Sequence, residues 1–187
     1  DHGTALLLEA LERRQPRGKV LDFACGSGVV GLALQTAAAG ELQLTLLDAS
    51  ALALESSRRS LAASGLDAAA VTLLASDGLS ELSAAAADRF DWIVSNPPFH
   101  RGVRNDLDVA AAFFRAAGTF LRETGRMVIV FNRHLPYSQW LQSAFGSVER
   151  LAESSEYMVI EASRPANPDR VTLKGTRRRS AGHSQRQ

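Results

Sequence analysis

A short apolar run at residues 19–23 passes directly into Gly26-Ser27-Gly28-Val29-Val30-Gly31, and this limits the available folds more than any other feature. A strand that turns into a helix through glycines belongs to an α/β sheet, because glycine alone bends so tightly and lets the backbone approach a ligand. The alternation continues down the chain. The pattern predicts helices at 29–38, 51–64, 109–121 and 137–145 and strands at 42–47, 71–75, 90–95 and 127–131, with Gly65 closing the second of these helices. Two last strands, 148–151 and 157–162, flank the polar Glu153-Ser154-Ser155-Glu156 and read as a hairpin. Ahead of everything, Thr4 is expected to N-cap a leucine-rich helix that ends near Pro16, while 84–87 reads as loop or helix edge. The expectation is an α/β fold: a mainly parallel sheet with right-handed crossovers, helices on both faces and one antiparallel strand from the hairpin.

At 187 residues the chain suits one domain, set at 1–164, with 165–187 as a basic, disordered tail beginning at Pro165-Ala166-Asn167-Pro168. No apolar run reaches the length of a membrane span, so no membrane partner is expected. The single Cys25 allows neither an internal disulfide nor a Cys cluster for zinc and suits a reducing cytoplasm. The first residue is Asp1 rather than Met and no leader follows, which reads as a fragment or processed product without a targeting signal. The net charge of +1 hides an asymmetry: from Arg164 onward seven Lys/Arg face one acid, against 14 basic and 19 acidic residues before it. Such a tail is either a polyanion-binding arm or a solvated, disordered end.

The glycine loop matches G-x-G-x-x-G, and Asp48 stands twenty residues beyond Gly28, so a nicotinamide dinucleotide fits as well as any other adenosine-bearing cofactor. Asp22 separates the two. In Val20-Leu21-Asp22-Phe23-Ala24-Cys25-Gly26 a carboxylate sits where a pyrophosphate would be repelled and a cationic amino acid end welcomed, which points to S-adenosylmethionine. On that reading the cofactor residues are Asp22 near the ammonium, directly or through water, Ala24, Gly26 and Gly28 in the loop, Asp48 on the ribose, and Asp77 at the adenine amino group. Asp48 has a competing use as a helix cap, though Ser50 fills that role better, and Asp77-Gly78 is also an ordinary turn pair. Cys25 is expected as a small packed residue rather than a nucleophile.

Residues 91–95 should form the strand beside the first one, which brings Asn96-Pro97-Pro98-Phe99 to the sheet edge next to the cofactor loop. The lone pair of an aromatic amine is delocalised into its ring. Two acceptors aimed at the N–H bonds, the Asn96 side-chain oxygen and the Pro97 backbone carbonyl, would turn that lone pair toward a sulfonium methyl, with no metal required. Asn96, Pro97 and Phe99 are therefore the catalytic candidates, with Asn96 touching the cofactor as well. Pro98, Phe99 and His100 are the substrate-binding candidates, Phe99 offering a stacking face for an unpaired base. An Asn-Pro-Pro turn that merely ends a strand is the competing reading. Arg101 and Arg104 could meet phosphate or belong to a solvated loop. These residues leave adenine, guanine and glutamine amines open.

Asp1-His2-Gly3-Thr4, residues 20–28, Ser95-Asn96-Pro97-Pro98-Phe99-His100, Gly102, Leu107-Asp108, Asn132 and Leu135-Pro136-Tyr137 together resemble the class I methyltransferases, and within them the bacterial 16S ribosomal RNA guanine-N2 methyltransferases. The resemblance implies a Rossmann-like, seven-stranded sheet with its last strand antiparallel. It also implies transfer from S-adenosylmethionine to a guanine N2 in 16S ribosomal RNA, within the small subunit or an assembly intermediate. The sister family acting on 23S ribosomal RNA is similar, and Asn132-Arg133-His134-Leu135 leans its way. Asn-Pro-Pro-Phe alone would also admit DNA adenine and protein glutamine methyltransferases. Members of the family usually carry a degenerate, methyltransferase-like half upstream, which implies that this chain is truncated. Ala24, where the family more often has glycine, and the Arg-rich tail after Arg170 depart from the pattern. Two rival functions stay open: a nicotinamide oxidoreductase, and a fragment that binds RNA without turnover.

Overall fold

The computed structural model describes residues 1–83, 89–97 and 104–165, except the side chains of 104–109, 164 and 165. Seven strands form one sheet: β1 (Lys19–Phe23), β2 (Gln43–Asp48), β3 (Val71–Ala75), β4 (Phe90–Ser95), β5 (Leu121–Asn132), β6 (Phe145–Glu153) and β7 (Tyr157–Pro165). Among the described residues five α-helices accompany them, α1 (His2–Arg14), α2 (Val29–Ala37), α3 (Ala51–Ser64), α4 (Arg104–Phe120) and α5 (Tyr137–Ala144), with a short 3-10 turn at Ala68–Ala70. The strand order is β3-β2-β1-β4-β5-β7-β6. β1 lies between β2 and β4, parallel to both, and β7 runs antiparallel to β5 and to β6. The α/β expectation, the parallel β1–β4 pairing and the closing hairpin are all borne out.

Side chains alternate along each strand, so each strand serves two cores. Leu21, Phe23, Ile93 and Ile129 pack with Phe113, Phe114, Tyr137 and Leu141 of α4 and α5. Val20, Val94, Val128 and Val130 pack on the other face with Leu7 and Leu11 of α1, Leu34 of α2 and Leu61 of α3. The result is helices, sheet, helices in three layers.

Several boundaries depart from expectation. The N-cap of α1 is Asp1, not Thr4: the Asp1 carboxylate accepts from the Thr4 backbone N–H at 2.7 Å, and the Thr4 hydroxyl is used elsewhere. β5 begins six residues before the expected 127, since Leu121 pairs with Phe90 and Arg122 is tied to Asp91 at 2.7 Å. The register shifts between Phe90 and Trp92. Gly125 accommodates the irregularity, as a Cβ there would stand 2.9 Å from the Arg122 carbonyl oxygen and 3.0 Å from that of Phe90. α4 begins at Arg104 rather than 109, and β6 takes over at Phe145, where the preceding helix was expected to end. Residues 84–87 and the tail from 166 lie outside the described residues, so the domain limit at 164 stays an expectation. Among the described residues no helix is long and apolar enough to cross a membrane.

Candidate active site

The strand ends that the topology gathers around β1 open onto a cleft of about 700 Å³. Its wall is built from Phe23, Ala24 and Gly26 at the end of β1, Asp48 and Ala49 at the end of β2, and Ser76, Asp77, Gly78 and Leu79 beyond β3. Asn96 after β4, Asp1, and Ala112, Phe113 and Ala116 of α4 complete it. Open α/β sheets bind ligands at such carboxyl edges, and this volume suits a small cofactor.

Asp48 is fixed by two backbone donors. The Gly26 N–H donates to Oδ2 at 2.9 Å and the Ser50 N–H to Oδ1 at 2.8 Å. A carboxylate has about four acceptor positions, so two remain for a diol facing the cleft. Ser50 rather than Asp48 caps α3, its hydroxyl accepting from the Ala53 N–H at 3.3 Å. Gly26 has φ 57° and no atom within 4 Å of where a Cβ would stand, which leaves its backbone open to the cleft. Behind it, the Ser57 hydroxyl of α3 donates to the Gly26 carbonyl at 2.8 Å, a brace that sequence reasoning missed.

Two of the expected cofactor residues stand behind the wall. Gly28, at φ 78°, caps α2, and a Cβ on it would lie 3.1 Å from Leu46 Cδ1 and from Ser57 Oγ, so its bareness lets α2 pack on β2 and α3. Asp22 is only 1% exposed and accepts the Gly31 N–H at 2.8 Å. Burial pushes its carboxyl up to about 7, the Gly31 N–H pulls the other way, and the negative Asp48 adds to the rise. Gly31 is in the first turn of α2, so Asp22 already holds a donor that a pyrophosphate would otherwise take. Burial likewise pushes the Cys25 thiol up to about 12, leaving it protonated at neutral pH as a packed residue.

Ala24 has φ 55°, a left-handed conformation that costs an L-residue about 1–2 kcal/mol. Ala24→Gly relieves that strain and adds about 0.4–1 kcal/mol of unfolded-state entropy. A net gain in Tm of about 2 °C is expected in thermal denaturation; a fall would show that Ala24 is unstrained.

Asn96 is held from one side. Its Nδ2 donates to the Thr4 hydroxyl oxygen at 2.9 Å and stands 3.4 Å from Asp1 Oδ2. A carboxylate accepts only, so Asp1 determines which end of the amide is nitrogen. Oδ1 is buried and without a hydrogen-bond partner among the described residues. An acceptor left in that state costs about 1–3 kcal/mol unless a donor reaches it. Pro97 is buried beside it, while Pro98, Phe99 and His100 lie outside the described residues. Asp77 is exposed at the cleft rim. Phe113 stacks on Phe23 with ring centroids 4.1 Å apart and gives the cleft an apolar wall. Ala112 and Ala116, one turn apart on α4, line the same cleft, and sequence reasoning singled out none of the three. Among the described residues no three His, Cys, Asp or Glu side chains gather as a metal site.

A parallel sheet in this strand order with β7 reversed, carrying a glycine loop after β1 and an acid after β2, is the Rossmann-like fold of class I methyltransferases. Residues 1–161 match the methyltransferase small domain family model, and the chain belongs to that family. It is 45% identical over 159 residues to ribosomal RNA small subunit methyltransferase C of Shewanella halifaxensis, covering 85% of this chain and 44% of that protein. Identity to the protein of that name from Pectobacterium atrosepticum is 42% over 178 residues, 95% of this chain and 48% of the relative. A 16S rRNA N2 methyltransferase of T. thermophilus, solved with AdoMet and guanosine, superposes with a TM-score of 0.75 at 34% identity, over 88% of this chain and 43% of that one. The chain thus spans under half the length of these relatives.

Proposed function

We propose that this chain is a catalytic domain that transfers a methyl group from S-adenosylmethionine to the exocyclic N2 of a guanine in 16S ribosomal RNA, and works in the cytoplasm. The observation that carries the reading is Asn96 at the cleft, its Nδ2 held by Thr4 and its Oδ1 a buried acceptor without a partner among the described residues. The relatives named for the small subunit, and the structure holding guanosine, support guanine N2 and 16S over the 23S, DNA and glutamine alternatives.

The cleft fits the cofactor. Asp48, with two acceptor positions to spare, would hold the ribose hydroxyls. Asp77 would lie at the adenine, and Phe23 and Phe113 would exclude water from it. Asp22 would act from behind the loop: burial alone favours its protonated form, and a cationic amino acid end beside it would favour the carboxylate. When bound, S-adenosylmethionine supplies an electrophilic methyl on a sulfonium sulfur. Asn96 Oδ1 would accept one hydrogen of the target amine and the Pro97 carbonyl the other, turning the nitrogen lone pair out of the ring. Pro98, Phe99 and His100 remain the proposed base-binding residues.

The nicotinamide reading loses ground at Asp22, which occupies the first-turn donor of Gly31. The test is in vitro. The chain is incubated with methyl-labelled S-adenosylmethionine and small subunits, large subunits, naked 16S RNA or DNA, and labelled nucleosides are identified by mass spectrometry. N2-methylguanosine from 16S RNA is expected. Label in N6-methyladenine or in 23S RNA would overturn the substrate assignment, and stabilisation by NADH but not by S-adenosylhomocysteine would overturn the cofactor.

A further inference from the structure

We infer that Thr4, backed by Asp1, is a positioning residue for Asn96: the first turn of α1 sets the amide so that its oxygen, not its nitrogen, meets the reacting amine. The inference rests on the proposed amine methylation and deepens it.

Asp1-His2-Gly3-Thr4 stands 92 residues or more from Asn96 in sequence, yet three observations connect the two segments. The Asn96 amide nitrogen has two hydrogens, and α1 supplies an acceptor for each: Thr4 Oγ1 at 2.9 Å and the Asp1 carboxylate at 3.4 Å. Asp1 is itself fixed, because its Oδ1 accepts the Thr4 backbone N–H at 2.7 Å as the cap of the helix. The turn is seated by Gly3, where a Cβ would stand 3.1 Å from Cε1 of Tyr157 on β7, so a larger residue would require this turn or the Tyr157 ring to shift. The three residues thus act in different ways, Asp1 by capping and accepting, Gly3 by permitting close approach, and Thr4 by accepting from Asn96.

The consequence is chemical. An Asn side chain rotated by half a turn presents N–H donors to a target amine that is itself a donor, and the pair repels. With both Nδ2 hydrogens engaged at the start of α1, rotation would break those contacts, and Oδ1 is left as the end of the amide without a partner among the described residues. Neither Thr4 nor Asp1 need touch the base for this.

Thr4→Val keeps the size of the side chain and the backbone N–H to Asp1 while removing the hydroxyl. We expect kcat to fall about tenfold with KM for RNA and cofactor affinity within about twofold of wild type, and Thr4→Ser to restore most of the rate. A merely structural hydroxyl would lower Tm without that split between kcat and KM. Unchanged kcat in Thr4→Val, or no rescue by Thr4→Ser, overturns the inference. A second readout needs no turnover. Hydrogen exchange of the Asn96 side-chain amide, followed by NMR, should be about tenfold faster in Thr4→Val than in wild type. Equal rates would overturn the positioning role. A wild-type chain that transfers no methyl would count against the proposed reaction alone, since the exchange experiment still decides the role of Thr4.

Discussion

Asn96→Ala is expected to lower kcat for methyl transfer by about 10²–10³-fold, the loss typical when a preorganised polar group at a reacting centre is removed. Asn96 Oδ1 is buried and unpartnered among the described residues, so in the proposed reaction it meets its donor only when the target amine arrives. An interaction made with the reacting amine and strengthened as its lone pair turns out of the ring appears in kcat rather than in KM. Affinity for S-adenosylhomocysteine should change by less than about fivefold, because Asp48 and the loop around Gly26 supply most of the cofactor contacts proposed here. Single-turnover transfer with labelled cofactor, alongside calorimetric binding, separates the two quantities. Equal incorporation by both proteins would remove Asn96 from the reaction.

Asp22→Asn is expected to abolish a pH dependence of stability in the cofactor-free protein. The carboxyl sits at about 7 in the folded chain against 3.8 as its ordinary value, raised chiefly by burial. The folded state therefore holds its proton more tightly than the unfolded state. The stabilisation is complete below about pH 4 and is lost as pH rises through about 7, a change of up to roughly 4 kcal/mol. Asn keeps an oxygen for the Gly31 N–H and does not ionise. Its amide hydrogens enter a buried site, so the prediction concerns the slope: denaturant midpoints should fall between pH 5 and 8 in wild type relative to Asp22→Asn. Parallel curves would mean that Asp22 titrates at its ordinary value.

Where hydrophobic period and glycine position agree, the chain is legible. Residues 19–23, 71–75 and 90–95 are strands to the residue, and 51–64 is a helix closed by Gly65, because short apolar runs bounded by turn residues leave little choice. Residues 121–126 were not legible, since Arg122, Glu123 and Thr124 have no apolar alternation. They are strand because Leu121 pairs with Phe90 and Arg122 with Asp91, contacts that exist only in the folded chain. The start of α1 failed for a related reason. Asp1 and Thr4 are both good capping residues three apart, and the choice between them depends on Asn96, far away in sequence. Gly26, Asp48 and Asn96, proposed from motif and strand end, do line the cleft. Ser57 and Phe113 were missed because a buried serine and a helix phenylalanine look like ordinary packing until the loop and cleft they touch are in place. Asp22 was found for its charge, yet it stands behind the wall, which strand alternation places on the α2 side of the sheet.

The most direct measurement is mass-spectrometric mapping of ribosomal RNA from cells that lack this protein, beside cells carrying it and cells carrying its Asn96→Ala variant. One N2-methylguanosine should disappear from 16S RNA in the deletion, return with the wild-type protein and stay absent with the variant. A 16S RNA unchanged by the deletion, or a methyl lost from 23S RNA instead, would contradict the proposed reaction.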